Sequence, residues 1–387
     1  MLKLPIYLDN AATTPVDPRV VDVMLPYLRE HFGNPASNTH DFGRVARRAV
    51  ETAREQVAAL VGADPRDIIW TSGATESNNL ALKGAAHARG ERGHIVSVAT
   101  EHKAVLDSLS ALEREGYEVT RLAPQSDGLV DAEAFRAALR ADTVLASVML
   151  VNNEIGVIQD IATFGALCRE RGIPFHVDAA QATGKVAIDL AQLPVDLMSL
   201  TAHKTYGPKG IGALYVRRES RLRLQPEMHG GGHERGLRSG TLATHQIVGM
   251  GYCFELARQE MGEELPRLRA MRDTLWAALC DLPDLRLNGC LEQRVVTNLN
   301  ITLTAPGCDA LLASLKDVAI SSTSACSSGA ATPSHVLQAL GPEAATGVAM
   351  RISVGRFNTP AEIEHAAAYL RESIVACRNG APVRAAA

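Results

Sequence analysis

Between about residues 16 and 260, short β-rich runs alternate with segments whose apolar residues recur at helical spacing. The strand candidates are DIIWTS (67–72), HIVSVA (94–99), EVTRLA (118–123), VLASVML (144–150), PFHVDAA (174–180), LMSLTA (197–202) and GALYVR (212–217). Segments such as FRAALRADT and IATFGALCRERG lie between them. Parallel strands need long crossovers, usually helical, so this order predicts an α/β fold with a mostly parallel, helix-covered sheet of seven strands. GALYVR follows its predecessor too closely for a crossover helix and is expected to be an antiparallel member.

After Thr241 the pattern changes. Residues 245–281 read as one or two long helices, followed by a strand at 297–303, a helix near 309–317, a strand RISVG (351–355) and a helix from about 360. The expected division is a large domain over 16–260 and a smaller α+β domain from 261–378 that takes in an N-terminal arm, 1–15; the last residues, 379–387, are expected to fray. With 46% hydrophobic residues in 387, the chain can fill two such cores.

The 43 acidic and 39 basic residues are interspersed and leave a net charge of -4, which argues against nucleic acid as a partner. No apolar run approaches the ~18 residues of a membrane span. The start, MLKLPIYLDNAATTP, lacks a cleavable signal pattern, and seven widely spaced cysteines make no disulfide framework. A cytoplasmic protein is the expectation.

Ligands of open α/β sheets bind beyond the carboxyl ends of the strands, and five segments carry chemistry there. TSGATESNN (71–79) runs from a strand into a helix start expected near Glu76, an anion site suited to phosphate or an ordinary turn capped by Thr75. In TEHKAV (100–105), His102 is a surface or capping residue unless a planar ligand lies beside it. HVDAAQ (176–181) puts Asp178 in an apolar strand, where it needs a cationic partner: an arginine elsewhere, or the protonated ring nitrogen of a cofactor. LMSLTAHKTYGPKG (197–210) ends a buried strand at Lys204, either a snorkelling lysine or a Schiff-base amine. In MHGGGHERGLRSGT (228–241), an esterase oxyanion loop is excluded because no G-x-S-x-G follows, and two histidines without a third ligand are poor evidence for a metal. The favoured reading is a flexible loop bringing Arg and Thr groups to an anion.

Taken together, a phosphate cradle, a stacking histidine, an Asp for a pyridinium nitrogen and a Lys for a Schiff base are the parts of a pyridoxal 5'-phosphate site. Neither a P-loop nor a dinucleotide fingerprint competes with them. One stretch remains: AISSTSACSSGAATPS (319–334) sets Cys326 in a Ser/Thr/Ala/Gly run without apolar periodicity, the wrong company for a structural cysteine.

The motifs YLDNAATTP, FGNPAS, TSGATES, TEHKAVL, VNNEIGV, HVDAAQ, AHKTYGPKGIGALYVRR, GGGHERGLRSGT, SSTSACSS and RISVGRFNT resemble those of the pyridoxal phosphate-dependent cysteine desulfurases of the NifS/IscS type, especially the housekeeping IscS branch. The resemblance spans nearly the whole chain. It implies the aminotransferase-like fold (fold type I of this cofactor class) and a homodimer with active sites near the subunit interface. It further implies that Lys204 carries the cofactor, Asp178 pairs with the ring nitrogen, Gln181 contacts the ring hydroxyl oxygen and His102 stacks on the ring. Ala74, Thr75, Thr201 and His203 match phosphate-binding positions, and Thr241 matches one that reaches the neighbouring subunit's phosphate. Asn153 is placed near ring and substrate, and Arg351 is the candidate for the substrate carboxylate. Thr201 stands where many members have Ser and keeps the hydroxyl. The implied activity converts L-cysteine to L-alanine and hands sulfur, as a persulfide on Cys326, to an iron–sulfur scaffold protein or to other acceptors such as those of tRNA thiolation. His102 is the expected proton shuttle. The rivals are an aminotransferase or selenocysteine lyase of the same cofactor class, and a non-catalytic sulfur-trafficking scaffold.

Overall fold

The structure, a computed structural model, describes residues 2–220, 222–322 and 334–380. Its centre is a seven-stranded sheet of β2 (Ile68–Thr71), β3 (His94–Val98), β4 (Glu118–Leu122), β5 (Thr143–Ser147), β6 (Phe175–Asp178), β7 (Leu197–Thr201) and β8 (Gly212–Val216), after a short β1 (Ile6–Tyr7). The spatial order is β2-β8-β7-β6-β5-β3-β4, and β8 is antiparallel to both its neighbours while the other pairings are parallel. The expected α/β architecture and the antiparallel GALYVR strand are both present. Strands β2, β3, β5, β6 and β7 are buried along their whole length, because helices cover both faces and leave no polar side.

The covering helices are α1 (Pro18–Arg29), α2 (Asp41–Val61), α3 (Ala74–Ala88), α4 (Lys103–Arg114), α5 (Ala132–Ala138) and α6 (Ile161–Glu170). In α2, Ala46, Val50, Ala53 and Val57 recur every three to four residues and form its buried stripe. Gly62 ends the helix at φ 63, a left-handed cap that glycine adopts without strain.

The following helix, α7 (Thr244–Leu279), is one continuous element of 36 residues despite Pro266. Its first half lays Ile247, Met250 and Phe254 into the core of the large sheet. Its second half gives Leu268, Met271, Leu275 and Leu279 to a separate core shared with Ile6 and Leu8. The chain therefore passes residue 260 inside an unbroken helix and not through a linker. That second core is built on β9 (Leu285–Leu287), β10 (Asn298–Leu303), β11 (Val318–Ala319), β12 (Ser321–Ser322) and β13 (Val348–Ser353). The strands form an antiparallel sheet in the order β12-β13-β10-β9, with β11 pairing β1. Helices α8 (Leu311–Ser314), α9 (His335–Leu340), α10 (Pro342–Ala345) and α11 (Pro360–Arg378) complete it. α8 is far shorter than the helix expected over 309–317, because Asp317 and Val318 already pair with the N-terminal arm: the Ile6 N–H donates to Asp317 O at 2.7 Å. Among the described residues no helix is long and apolar enough to cross a membrane.

Candidate active site

A pocket of about 560 Å³ opens where the chain leaves β2, β3, β5, β6 and β7, the carboxyl ends of the strands. Its walls hold Ala74 and Thr75 from the start of α3, His102 from the start of α4, Asn153 beyond β5, Asp178 and Gln181 at the end of β6, and Thr201, His203 and Lys204 at the end of β7.

The cradle side is backbone. α3 begins at Ala74, with Gly73 as a cap at φ 152 and no side-chain cap, so Thr75 is inside the helix and not its N-cap as one reading expected. Gly73 has open space where a Cβ would lie, and Gly212 lets β8 approach it so closely that a Cβ there would come within 2.6 Å of the Gly73 Cα. The result is a helix start with free N–H groups facing the pocket.

At the opposite wall Asp178 accepts from Asn78 Nδ2 at 2.7 Å and from the Ala180 N–H at 2.9 Å, and no arginine pairs with it among the described residues. Lys204 is half-buried, and its Nζ donates to Ala11 O at 2.5 Å. Burial, reinforced by Arg351 and opposed by Asp178 and Asp9, brings its pKa down to about 8. His102 caps α4, its Nδ1 accepting the Ala104 N–H at 3.1 Å, while the ring stays exposed to the pocket. Lost hydration lowers its pKa, Asp178 opposing and Lys204 reinforcing. For His203, burial and then the neighbouring lysines lower the value to about 4. Its Nδ1 meets Thr13 Oγ1 at 3.1 Å.

Arg351 enters from β13. Its guanidinium donates to Asn153 O and Asp9 Oδ1, both at 2.9 Å, and to Ser321 Oγ at 3.2 Å. The buried Arg351 Nε and Asn153 Oδ1 have no partner among the described residues.

Arg351 and Thr241 are not among the described residues that line this pocket. Thr241 is exposed on the loop before α7, and Cys326 lies outside the described residues. Within the chain the two arginines of 228–241 are engaged by groups of the fold. Arg238 Nε donates to Glu76 at 2.8 Å, and Arg235 is spent on the carbonyls of Arg66 and Ile68. That loop is pinned by Glu234, which takes two hydrogen bonds from Arg54, at 2.8 and 2.9 Å, and a third from the Trp70 N–H at 2.8 Å. Both partners are buried, with side-chain exposures of 9% for Arg54 and 4% for Glu234. Arg54→Met is therefore expected to cost about 3–5 kcal/mol in urea unfolding, because Glu234 is left as an uncompensated buried charge. A loss under 1 kcal/mol would show that the loop is not held this way.

A scan of the whole chain matches the class-V aminotransferase family over residues 6–365. Cysteine desulfurase IscS of Methylococcus capsulatus is 59% identical, covering 99% of this chain and 95% of the relative. That of Dechloromonas aromatica is 60% identical at the same coverage. Among solved structures, a NifS-like protein superposes with a TM-score of 0.89 at 34% identity, over 96% of this chain and 100% of its own. SspA in complex with cysteine does so with 0.78 at 38%, over 92% and 100%.

The chain belongs to the cysteine desulfurases of the class-V aminotransferase family.

Cysteine desulfurases depend on pyridoxal phosphate, and the pocket's donors fit that group. The glycine cradle at α3 suits a phosphate, a carboxylate without an arginine suits a pyridinium, and an amine at about 8 suits a carbonyl carbon. The amine's value has a consequence. Only its neutral form attacks a carbonyl, so cofactor uptake by the stripped protein should quicken with pH up to about 8 and then level off. The growth of the visible band checks this; a rate flat between pH 6 and 8 would contradict it.

Sequence reasoning did not single out Asn78, Asp9, Ala11 or Glu101. Asn78 lies within the quoted TSGATESNN, but only the packing of α3 on β6 brings it to Asp178. Asp9 and Ala11 sit in the N-terminal arm and are carried to the pocket by β1 pairing with β11. Glu101 is fully buried beside His102, accepting the Met149 N–H at 2.6 Å. Burial and then Asp178 raise its pKa well above the usual carboxylate range. A glutamate beside a candidate histidine was the available signal.

Proposed function

We propose that the chain converts L-cysteine to L-alanine and passes the sulfur, as a persulfide on Cys326, to acceptor proteins, chiefly the scaffold on which iron–sulfur clusters are assembled. The observation that carries this is the convergence of Lys204, Asp178 and His102 on one pocket beside the open start of α3. When bound, pyridoxal phosphate supplies an electron sink for the bonds about the substrate's α-carbon.

The residues divide the rest of the work. Lys204 Nζ, released from Ala11 O, holds the cofactor covalently and afterwards moves the α-proton. Asp178, fixed by Asn78, keeps a proton on the ring nitrogen. The N–H groups at the start of α3 hold the phosphate, with Thr75, Thr201 and His203 beside them. His102, at its lowered pKa and facing the pocket, exchanges a proton with the substrate thiol. Arg351 takes the substrate carboxylate in place of part of its pairing with Asp9, and Asn153 borders that position. The Cys326 thiolate attacks the substrate sulfur, so the C–S bond breaks as the S–S bond forms.

Exposed Thr241 fits a homodimer in which it reaches the neighbouring subunit's phosphate. The two cores fit the division into a large cofactor-binding domain, 16–260, and a smaller domain from 261–378 with the arm 1–15. A cytoplasmic location agrees with six free thiols among the described residues. The test is product analysis with L-cysteine, pyridoxal phosphate and a thiol reductant. Alanine and sulfide in equal amounts are expected; a keto acid in place of alanine would mean an aminotransferase.

A further inference from the structure

Behind Gln181, away from the pocket mouth, lies a lysine that the reaction above does not use. Gly184, at φ 71, turns the chain after β6, and the turn is closed by the Lys185 N–H on Ala182 O at 2.9 Å. It sends the Lys185 side chain back over residue 181, where Nζ donates to Gln181 Oε1 at 3.3 Å. Space at the turn is tight: a Cβ on Gly184 would lie 3.2 Å from Thr205 Cγ2 and 3.3 Å from Ala257 Cβ. Lys185 makes no ion pair among the described residues, which is unusual for a half-buried ammonium.

The amide of Gln181 is thereby held at both atoms. Its oxygen accepts from Lys185, and its Nε2 donates to Ala11 O at 2.7 Å. A primary amide nitrogen carries two hydrogens, so one N–H remains for the pocket that Gln181 lines. The reversed amide would set N–H against ammonium and carbonyl against carbonyl.

We propose that Lys185 is a positioning residue: it fixes the Gln181 amide so that an N–H, and not the carbonyl, is presented to the cofactor's ring oxygen. This rests on the pyridoxal phosphate reading of the pocket. A fixed donor there favours negative charge on that oxygen and so makes the proton on the lysine–cofactor link easier to lose. The charge of Lys185 acts in the same direction. Burial, then Lys204 from the turn after β7 and Arg351 from β13, lower its pKa to about 7, against Glu264 of α7. Its hydrogen bond to Gln181 survives in either protonation state, since a neutral amine still donates.

The experiment titrates the visible band of the cofactor-loaded protein with pH. For Lys185→Met the midpoint is expected to rise by roughly one pH unit, a tenfold change, the size of a lost hydrogen bond to a charged group. Lys185→Arg, which restores a donor, should return most of the shift. In a Gln181→Met background, Lys185→Met should add little, because the effect runs through the amide. Lys185→Leu, which also lacks a donor, serves in place of Lys185→Met, with the same expectation, if the latter does not fold. An unchanged midpoint in loaded Lys185→Met overturns the proposal and leaves the cofactor reading intact. A full shift that persists without Gln181 overturns it in favour of a direct charge effect. No visible band in the unaltered protein overturns the reading and the proposal together.

Discussion

Lys204→Ala protein, given pyridoxal phosphate, is expected to bind it without the covalent band and to release alanine on the order of 10³- to 10⁴-fold more slowly. Two losses combine. The covalent tether disappears, and with it the amine that moves the α-proton. The cradle at Gly73 and the carboxylate of Asp178 remain, so non-covalent binding should persist. The fold should tolerate the change, because among the described residues the Lys204 side chain makes one hydrogen bond, to Ala11 O, and burial already disfavours its charge. Absorbance after gel filtration, with an alanine assay on the same sample, checks both halves. Alanine release within tenfold of the unaltered protein would remove Lys204 from the chemistry.

Cys326→Ser separates the steps that Lys204→Ala merges. The loaded protein should keep its visible band and respond spectrally to L-cysteine, because every described residue that lines the pocket is left in place. Alanine should fall by about 10³-fold or more, since a serine hydroxyl is almost wholly protonated near neutral pH and attacks sulfur poorly. The setting of Cys326 in SSTSACSS suits the same role. A persulfide made in a closed pocket must be delivered outside it, and a chain of small residues is the composition that lets one sulfur serve both places. Full alanine release by Cys326→Ser would sink the persulfide route.

Much of this site was legible before the structure because its residues lie at the ends of strands. In HVDAAQ and LMSLTAHK the apolar run announces the strand, and the first polar residues after it mark where a parallel sheet presents its chemistry. The helix start at 74 was misplaced by about two residues because Gly73 caps through backbone geometry and leaves no side-chain signature. The anchoring of the loop 228–241 was not legible for a different reason. Glu234, Arg54 and Trp70 come together only when α2, β2 and that loop assemble, and a buried ion pair at such separation has no local signal.

The sequence by itself determined the alternation of strands and helices in the large domain, the antiparallel β8 and the identity of the groups at the ends of β2, β3, β6 and β7, because hydrophobic period and short connections are local properties. Only the tertiary structure decided their partners. Asn78 beside Asp178, Asp9 on Arg351 and Lys185 behind Gln181 are set by how helices seat on a sheet and how an N-terminal arm joins a distant strand. Those contacts join residues far apart in the chain or hidden behind a turn, where packing chooses the partner and no pattern in the sequence records it.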